Sequence, residues 1–349
     1  MHAFDADFDG EGASSNPPWN EFRGARIFLT GGTGFYGCCL LHTFTQACDR
    51  MTLDASIHVL TRDPERFAAK APALATHPAV MLIRGDVRSF AFPAGHFSHV
   101  LHAATDVVPA PEQQPPELLR ETIVEGTRRV LAFGNQSGVK KLLLVSSGFV
   151  YGPQPPSVTH MPEDEDAVTR PLPAPSTYVD GKREAERLWR TSEGDSCRTI
   201  ARCYSSVGPY LPLDAHFAVG NFIRDAARGG PICVSGDGTP HRSYLYTPDL
   251  SVWLWTILCH GQEGRAYNVG SEHDLSIADL ARTVAATFSP SIRIEIAKKQ
   301  IPGPHERFVP STLRARSELG LKETVPLREA IRKTAAWYAG RAGFPHHRT

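Results

Sequence analysis

Tyr178 and Lys182 stand four residues apart in a stretch, Ser176-Thr177-Tyr178-Val179-Asp180-Gly181-Lys182, that reads as the start of a helix. That spacing puts a phenol and an ammonium on one helical face. A free phenol titrates near ~10, too high for a base at neutral pH. A cation about 4 Å away at an effective dielectric of about 20 is worth roughly 4 kcal/mol, or about three pK units. The pair is therefore expected to be catalytic, with Tyr178 moving a proton to or from a reacting oxygen and Lys182 lowering its pKa. Ser147 is the third candidate: its hydroxyl would bond the same oxygen and polarise a carbonyl. A nucleophilic role for Ser147 is the rival, but no His–Asp arrangement accompanies it and Gly-x-Ser-x-Gly is absent.

These groups need a scaffold, and the chain supplies one early. The apolar run 27–29 breaks into glycines at Gly31, Gly34 and Gly37, and Leu40, Leu41 and Phe44 follow at helical spacing. Strand, glycine turn and helix together make a dinucleotide fingerprint credible. A side chain at Gly31 or Gly34 would hold a pyrophosphate off the backbone, and Gly37 lets the helix pack close to the strand. Thr33, Phe35 and Tyr36 lie within the same turn and are expected to touch the cofactor.

Ser56–Thr61 reads as a second strand whose end meets the adenosine ribose. Arg62 there suits a phosphate, although Asp63 beside it could take the ribose role. NADP(H) is therefore favoured and NAD(H) is the alternative. Val80–Arg84 reads as the third strand, delivering Asp86 and Val87 towards the adenine. Residues 100–102 form a fourth, opening into Ala103 and Ala104, whose small side chains leave room for a cofactor. His102 sits at that rim, where a packing role competes with a cofactor contact. A helix over 115–138 and a buried strand over 141–145 follow. Beyond them, strands are expected at 198–203, 231–234 and 242–246, and helices at 220–228, 247–259, 277–288 and 327–338.

The whole composition sets outer bounds. With 349 residues the chain can bury a large core. Its 37 basic and 37 acidic residues cancel, which gives no electrostatic case for nucleic acid or an anionic membrane. No apolar run reaches bilayer length. The seven cysteines contain no Cys-x-x-Cys pair, so neither a disulfide frame nor a metal site is expected, and a cytoplasmic location is. Residues 1–22 read as a disordered leader, 23–205 as the dinucleotide-binding domain, and 206–349 mainly as a substrate lobe, with 245–270 returning to the first domain.

The order Thr30-Gly-x-x-Gly-Phe-x-Gly37, Gly85-Asp86-Val87, His102-Ala-Ala104, Gly126-Thr127, Ser146-Ser147, Tyr151-Gly152 and Tyr178-x-x-x-Lys182 resembles the extended short-chain dehydrogenase/reductases, and within them the nucleotide-sugar epimerase/dehydratase branch. The likeness continues through Arg202-x-x-Ser205-x-x-Gly208-Pro209, Gly236-Asp237-Gly238 with Arg242, and Tyr267-Asn268-Val269-Gly270, covering residues 24–340. It implies an α/β fold: a Rossmann-type doubly wound parallel sheet with a smaller C-terminal α/β substrate lobe, in a homodimer. It implies a nucleotide-sugar substrate held by Ser205, Asn221, Arg242 and Arg307, with Ser205 where the family usually has Asn. Ile123 also departs from the family, which generally has Asn there. The resembled 4,6-dehydratases carry acids just after the Ser/Thr, where this chain has Gly148 and Phe149. That argues against dehydration, and Arg62 then tips the choice to a 4-ketoreductase acting on a 4-keto-6-deoxy sugar nucleotide, with Phe149 walling the sugar's C5–C6 edge. A 4-epimerase with tightly held NAD is the alternative, and a catalytically idle cofactor-binding protein is a third possibility.

Overall fold

The computed structural model describes residues 18–105, 110–163, 171–289, 291–300 and 303–340. Its centre is a parallel sheet of seven strands: β1 (Arg26–Thr30), β2 (Ser56–Thr61), β3 (Val80–Arg84), β4 (His99–His102), β5 (Lys141–Ser147), β6 (Cys197–Cys203) and β7 (Ala266–Val269). Their order across the sheet is β7-β6-β5-β4-β1-β2-β3, every neighbouring pair parallel. Such strands are buried on both faces, which is why they read as continuous apolar runs. Successive residues still point to opposite sides. Ile27 and Leu29 enter one core with Leu143 and Val145, while Phe28 enters the other with Leu142 and Leu144.

Helix α1 (Phe35–Met51) follows β1, α2 (Pro64–Lys70) follows β2, and α3 (Pro116–Gln136) and α4 (Thr177–Thr191) precede β5 and β6. α3 and α4 pack together on one face of the sheet. Strand order reverses between β1 and β4, so the chains leaving them diverge and open a crevice at the carboxyl edge. Asp63 caps α2 by accepting from Arg66 N at 2.9 Å, with Pro64 in the first turn. Ser176 caps α4, accepting from Val179 N at 3.4 Å, which fixes Tyr178 in its first turn.

After β6 come α5 (Ala218–Ala227), α6 (Thr247–His260), α7 (Ile277–Phe288) and α8 (Leu327–Ala339). α6 packs on α1, whereas α5, α7 and α8 enclose a third core around Phe222, Ile223, Leu280 and Ile331. The short strands here have little periodicity to betray them. His241–Ser243 lies between Asp274–Ser276 and Arg307–Phe308 in one sheet, and Leu245–Tyr246 pairs Ser206–Val207 in another. The single strand expected over 242–246 is thus two, broken at Tyr244.

The leader also ends earlier than 22. Trp19–Phe22 forms a 3-10 turn, with Trp19 4 % and Phe22 0 % exposed. Phe22 meets Trp255 edge-on at 5.2 Å, because these aromatics close the core over α1 and α6.

Candidate active site

The crevice opens into a cleft of about 1140 Å³ that reaches from the glycine turn to the second lobe. Pockets for a single ligand usually run to about 300–1,000 Å³, so this one has room for two. Ser147, Tyr178 and Lys182 line its middle. The Ser147 hydroxyl lies close enough to act on the Tyr178 phenol and accepts from Phe149 N at 3.2 Å. Lys182 Nζ donates to Val145 O at 3.0 Å and to Thr105 Oγ1 at 2.9 Å. An ammonium has three donors, so one N–H remains for a ligand.

The electrostatics differ from the expectation that Lys182 would lower Tyr178's pKa. Burial pushes the phenol up to about 12, against which the Ser147 hydroxyl is the lowering influence. Lys182 Nζ lies 6.0 Å from the phenol ring centroid, and its bonds are aimed at β5 and the β4 edge instead. Burial also lowers the ammonium to about 8. Tyr178 is therefore a proton donor across the neutral range. Cys203 lines the same wall, its thiol pushed up to about 12 by burial and therefore uncharged.

The residues present fit a dinucleotide at the first-domain end. A Cβ on Gly31, whose φ is +74°, would come within 2.5 Å of the Ala103 backbone, and one on Gly37 within 2.2 Å of Gly31 O. Only glycine permits this close turn. Gly31, Thr33, Gly34, Phe35, Tyr36, Gly37, Asp86, Val87, Ala103 and Ala104 all line the cleft. Tyr36 ties the turn to β6 by donating to Tyr204 O at 3.1 Å. Ser146 adds a buried hydroxyl with no partner among the described residues, at the same wall. The Asp86 carboxylate is gripped by Arg88 through both oxygens, at 2.8 and 3.0 Å, and held below its usual range.

His102 lies behind the cleft wall and does not line it. Thr127 Oγ1 donates to Ile123 O at 2.6 Å, so it accepts from His102 Nε2 at 3.2 Å. Thr30 Oγ1 in turn accepts from Ala104 N at 3.2 Å and donates to His102 Nδ1 at 2.7 Å. Both ring nitrogens are spent, and burial holds the ring neutral, its pKa down to about 3. Through Thr30, His102 braces the Ala103–Ala104 shoulder.

Arg62 lines the adenosine end together with Asp63, Arg66 and Lys70. Asp63 is committed to capping α2. Lys70 Nζ donates to Thr33 O in the glycine turn at 2.8 Å. Arg66 and Lys70, missed in the sequence, stand four apart on α2 and so share one helical face, with Arg62 just ahead of the cap.

At the other end, Phe149 lies stacked on Phe308 at 4.3 Å, and Tyr204 lies 4.4 Å from Phe308. Ser205 and Arg242 line the cleft with them. The Arg242 guanidinium donates to Glu306 at 2.6 Å and stands 5.9 Å from the Phe308 ring. Arg307 does not line the cleft, for a reason built into the strands. Arg242 pairs Phe308 and His241 pairs Arg307, so the two pairs face opposite sides. Arg307 turns outward to Asp274 at 2.6 Å. Asn221 is also outside the cleft. Its amide donates to Ala215 O at 2.9 Å and its carbonyl accepts from Arg224 at 3.0 Å, ordering the segment ahead of α5.

Gly148 and Phe149, the two residues after Ser147, carry no ionisable group, and no side chain fits at Gly148. A Cβ on Gly148 would lie 2.5 Å from the Tyr204 ring. Ile123 is buried against Gly181 of α4, making the place where the family has Asn an apolar helix contact. In the acidic loop, Glu163 accepts from Asn268 N at 3.0 Å; residues 164–166 lie outside the described residues.

The model of the NAD dependent epimerase/dehydratase family matches residues 27–270. The chain is 30% identical over 312 residues to UDP-glucuronic acid decarboxylase 5 of Arabidopsis thaliana, covering 88% of this chain and 87% of that one. Its fold is similar to dTDP-glucose 4,6-dehydratase of Bacillus anthracis in complex with NAD, at TM-score 0.74 and 18% identity, covering 92% and 98% of the two chains. It is similar too to UDP-glucose 4-epimerase of Thermotoga maritima with UDP-glucose, at TM-score 0.72 and 19% identity, covering 90% and 99%.

Proposed function

Because the chain belongs to the NAD dependent epimerase/dehydratase family, we propose that it reduces the C4 ketone of a 4-keto-6-deoxy sugar nucleotide. When bound, the dinucleotide supplies the hydride. Gly31, Gly34 and Gly37 would cradle its pyrophosphate, Ser146 and the spare N–H of Lys182 would hold its nicotinamide end, and Arg62 its adenosine end. Ser147 and Tyr178 hold the ketone oxygen, and Tyr178, protonated up to about 12, delivers the proton.

One observation carries the choice against dehydration: neither Gly148 nor Phe149, which follow Ser147, carries an acid or a base. Loss of water from C6 needs an acid on the departing hydroxyl and a base at C5. Gly148 is sealed under Tyr204, and Phe149 is stacked on Phe308. The pair Phe149–Phe308 suits a methyl group, although burying one methyl is worth only about 1 kcal/mol. Discrimination against a hydroxymethyl group should therefore be modest, roughly tenfold.

The test gives the protein two substrates. A 4-keto-6-deoxy sugar nucleotide should consume NADPH with a stoichiometric product. A nucleoside-diphosphate glucose should yield no 4-keto sugar, followed by its absorbance in alkali. Formation of that 4-keto product at a catalytic rate would overturn the reductase reading.

NADPH is the proposed reductant, and the cations Arg62, Arg66 and Lys70 that line the cleft beyond β2 support it. Losing a charge-assisted contact should cost on the order of 1.5–3 kcal/mol. Arg62→Ala is thus expected to weaken NADPH by roughly 10- to 150-fold and to leave NADH much less changed, as read by titrating both into both proteins. A wild type that prefers NADH refutes this assignment.

The identity to a decarboxylase favours a second reading, a closed cycle in which C4 is oxidised and later re-reduced within one turnover. Epimerisation at C4 belongs to the same class. Such cycles consume no cofactor, so turnover without added dinucleotide separates them from the reductase.

A further inference from the structure

The backbone of Tyr36 belongs to the first turn of α1, whose leading N–H groups have no partners within the helix and suit a phosphate. Its side chain reaches across to the end of β6. The hydroxyl donates to Tyr204 O at 3.1 Å and accepts from Ser206 Oγ at 3.2 Å. Two more residues of α1 continue the contact. Cys39 donates its thiol to Pro209 O at 3.5 Å, and His42 Nε2 is bonded to the Tyr210 hydroxyl at 2.9 Å. Residues three apart are neighbours on a helix surface, so Tyr36, Cys39 and His42 form one row. The segment 204–210 lies along that row in the same order. Phe35 adds an apolar contact, packing against both the core under the sheet and the third core of the second lobe.

That segment is the chain's passage from the sheet into the second lobe, and it carries part of the far half of the cleft. The Tyr204 ring covers Gly148 and lies 4.4 Å from Phe308. Ser205 lines the cleft, and its carbonyl accepts from Leu245 N at 3.1 Å. Ser206 pairs Leu245, three residues beyond Arg242. The Tyr36 hydroxyl thus stands between the two halves of the cleft. On one side it is part of the turn that suits a pyrophosphate, and on the other it holds the backbone that presents Tyr204 and Ser205.

We propose that Tyr36 is the positioning residue through which the dinucleotide and the sugar nucleotide strengthen each other's binding. A pyrophosphate seated on the turn fixes the start of α1, and with it the phenol hydroxyl. The hydroxyl then holds residues 204–206 in place before the second ligand arrives. The entropy cost of ordering this segment falls on the first ligand alone, so the second binds more tightly. Linkage makes the effect reciprocal: each ligand raises the other's affinity by the same factor.

This rests on the reading above in taking NADPH as a separable ligand and a nucleoside diphosphate as part of the second one. Turnover of a 4-keto-6-deoxy sugar nucleotide, followed in parallel, judges the reductase reading by itself. UDP and dTDP are the probes, each titrated by calorimetry into the protein with and without saturating NADPH. The ratio of the two Kd values is the readout. In wild type at least one diphosphate should bind about fivefold or more tightly with NADPH present, and NADPH should gain the same factor from that diphosphate. Tyr36→Phe, which keeps the ring and removes the hydroxyl, should bring the ratio to within about twofold of one. Ser206→Ala, which spares the bond to Tyr204 O, should fall between. A merely structural role would weaken both ligands and leave the ratio as in wild type. A wild-type ratio near one, or an unchanged ratio in Tyr36→Phe, overturns the proposal whatever the turnover assay shows. Coupling that is lost in Tyr36→Phe, in a protein that reduces no ketone, upholds the proposal and removes the reductase reading. If neither diphosphate binds, or NADPH does not, both fall.

Discussion

Tyr178→Phe is expected to lower turnover by a factor on the order of 10² to 10⁴, the usual scale for losing a positioned acid/base. Cofactor affinity should stay close to that of wild type. The phenol is half-buried in the cleft wall, close enough to feel the Ser147 hydroxyl, and kept protonated up to about 12. Removing only its oxygen leaves the ring packing and the glycine turn in place, whereas the ketone oxygen loses its proton donor. The pH profile should separate Tyr178 from Lys182. Tyr178 is raised, so its proton is present throughout the neutral range and gives no limb there. Lys182 is lowered to about 8, so its charge is present below that value and is lost as pH rises through it. Reductive turnover should therefore be flat at neutral pH and decline above about 8. Near-wild-type turnover of Tyr178→Phe, measured with saturating NADPH, would remove Tyr178 from the proton path.

The parallel sheet was legible because its strands are short apolar runs closed by glycines or small polar residues, and α1, α3, α6 and α7 because their apolar residues recur at helical spacing. The glycine turn, Ser147, Tyr178 and Lys182 stand out for the same reason: residue type and spacing are the whole of their signal. Side-chain direction is not. Arg242 and Arg307 look alike in sequence, and only the pairing of their strands shows that one enters the cleft and the other leaves it. His102 reads as a rim residue until its two nitrogens are followed to Thr30 and Thr127. Trp19 and Phe22 sit in a polar, proline-containing stretch, and their burial depends on Trp255, more than two hundred residues away.

Arg202→Met is expected to destabilise the fold by about 3–5 kcal/mol, the scale for leaving a buried charge without its partner. Arg202 and Glu186 are each 3 % exposed. The guanidinium donates to the carboxylate at 2.7 and 3.0 Å and to the Tyr151 hydroxyl at 2.8 Å. Tyr151 donates to Asn268 at 2.9 Å, and the Asn268 amide donates to Met161 O and Ser311 O. The charge pair thus joins α4 to β6, β7 and the turn after Ser147. Glu186 lies one helical turn beyond Lys182, and Arg202 adjoins Cys203 of the cleft wall, so the pair also fixes the distance between Tyr178 and Ser147. The cost of the single change comes from the stranded carboxylate, not from the pair's intrinsic strength. Replacing both partners by apolar residues of similar volume is often neutral. Arg202→Met combined with Glu186→Leu should therefore recover most of the lost stability, measured by urea unfolding. A single variant that loses less than about 1 kcal/mol would show that Arg190, whose guanidinium already stands 3.5 Å from the Glu186 carboxylate, takes over the pairing. A double variant no more stable than the single would show that Arg202 acts by holding Tyr151, not by neutralising Glu186.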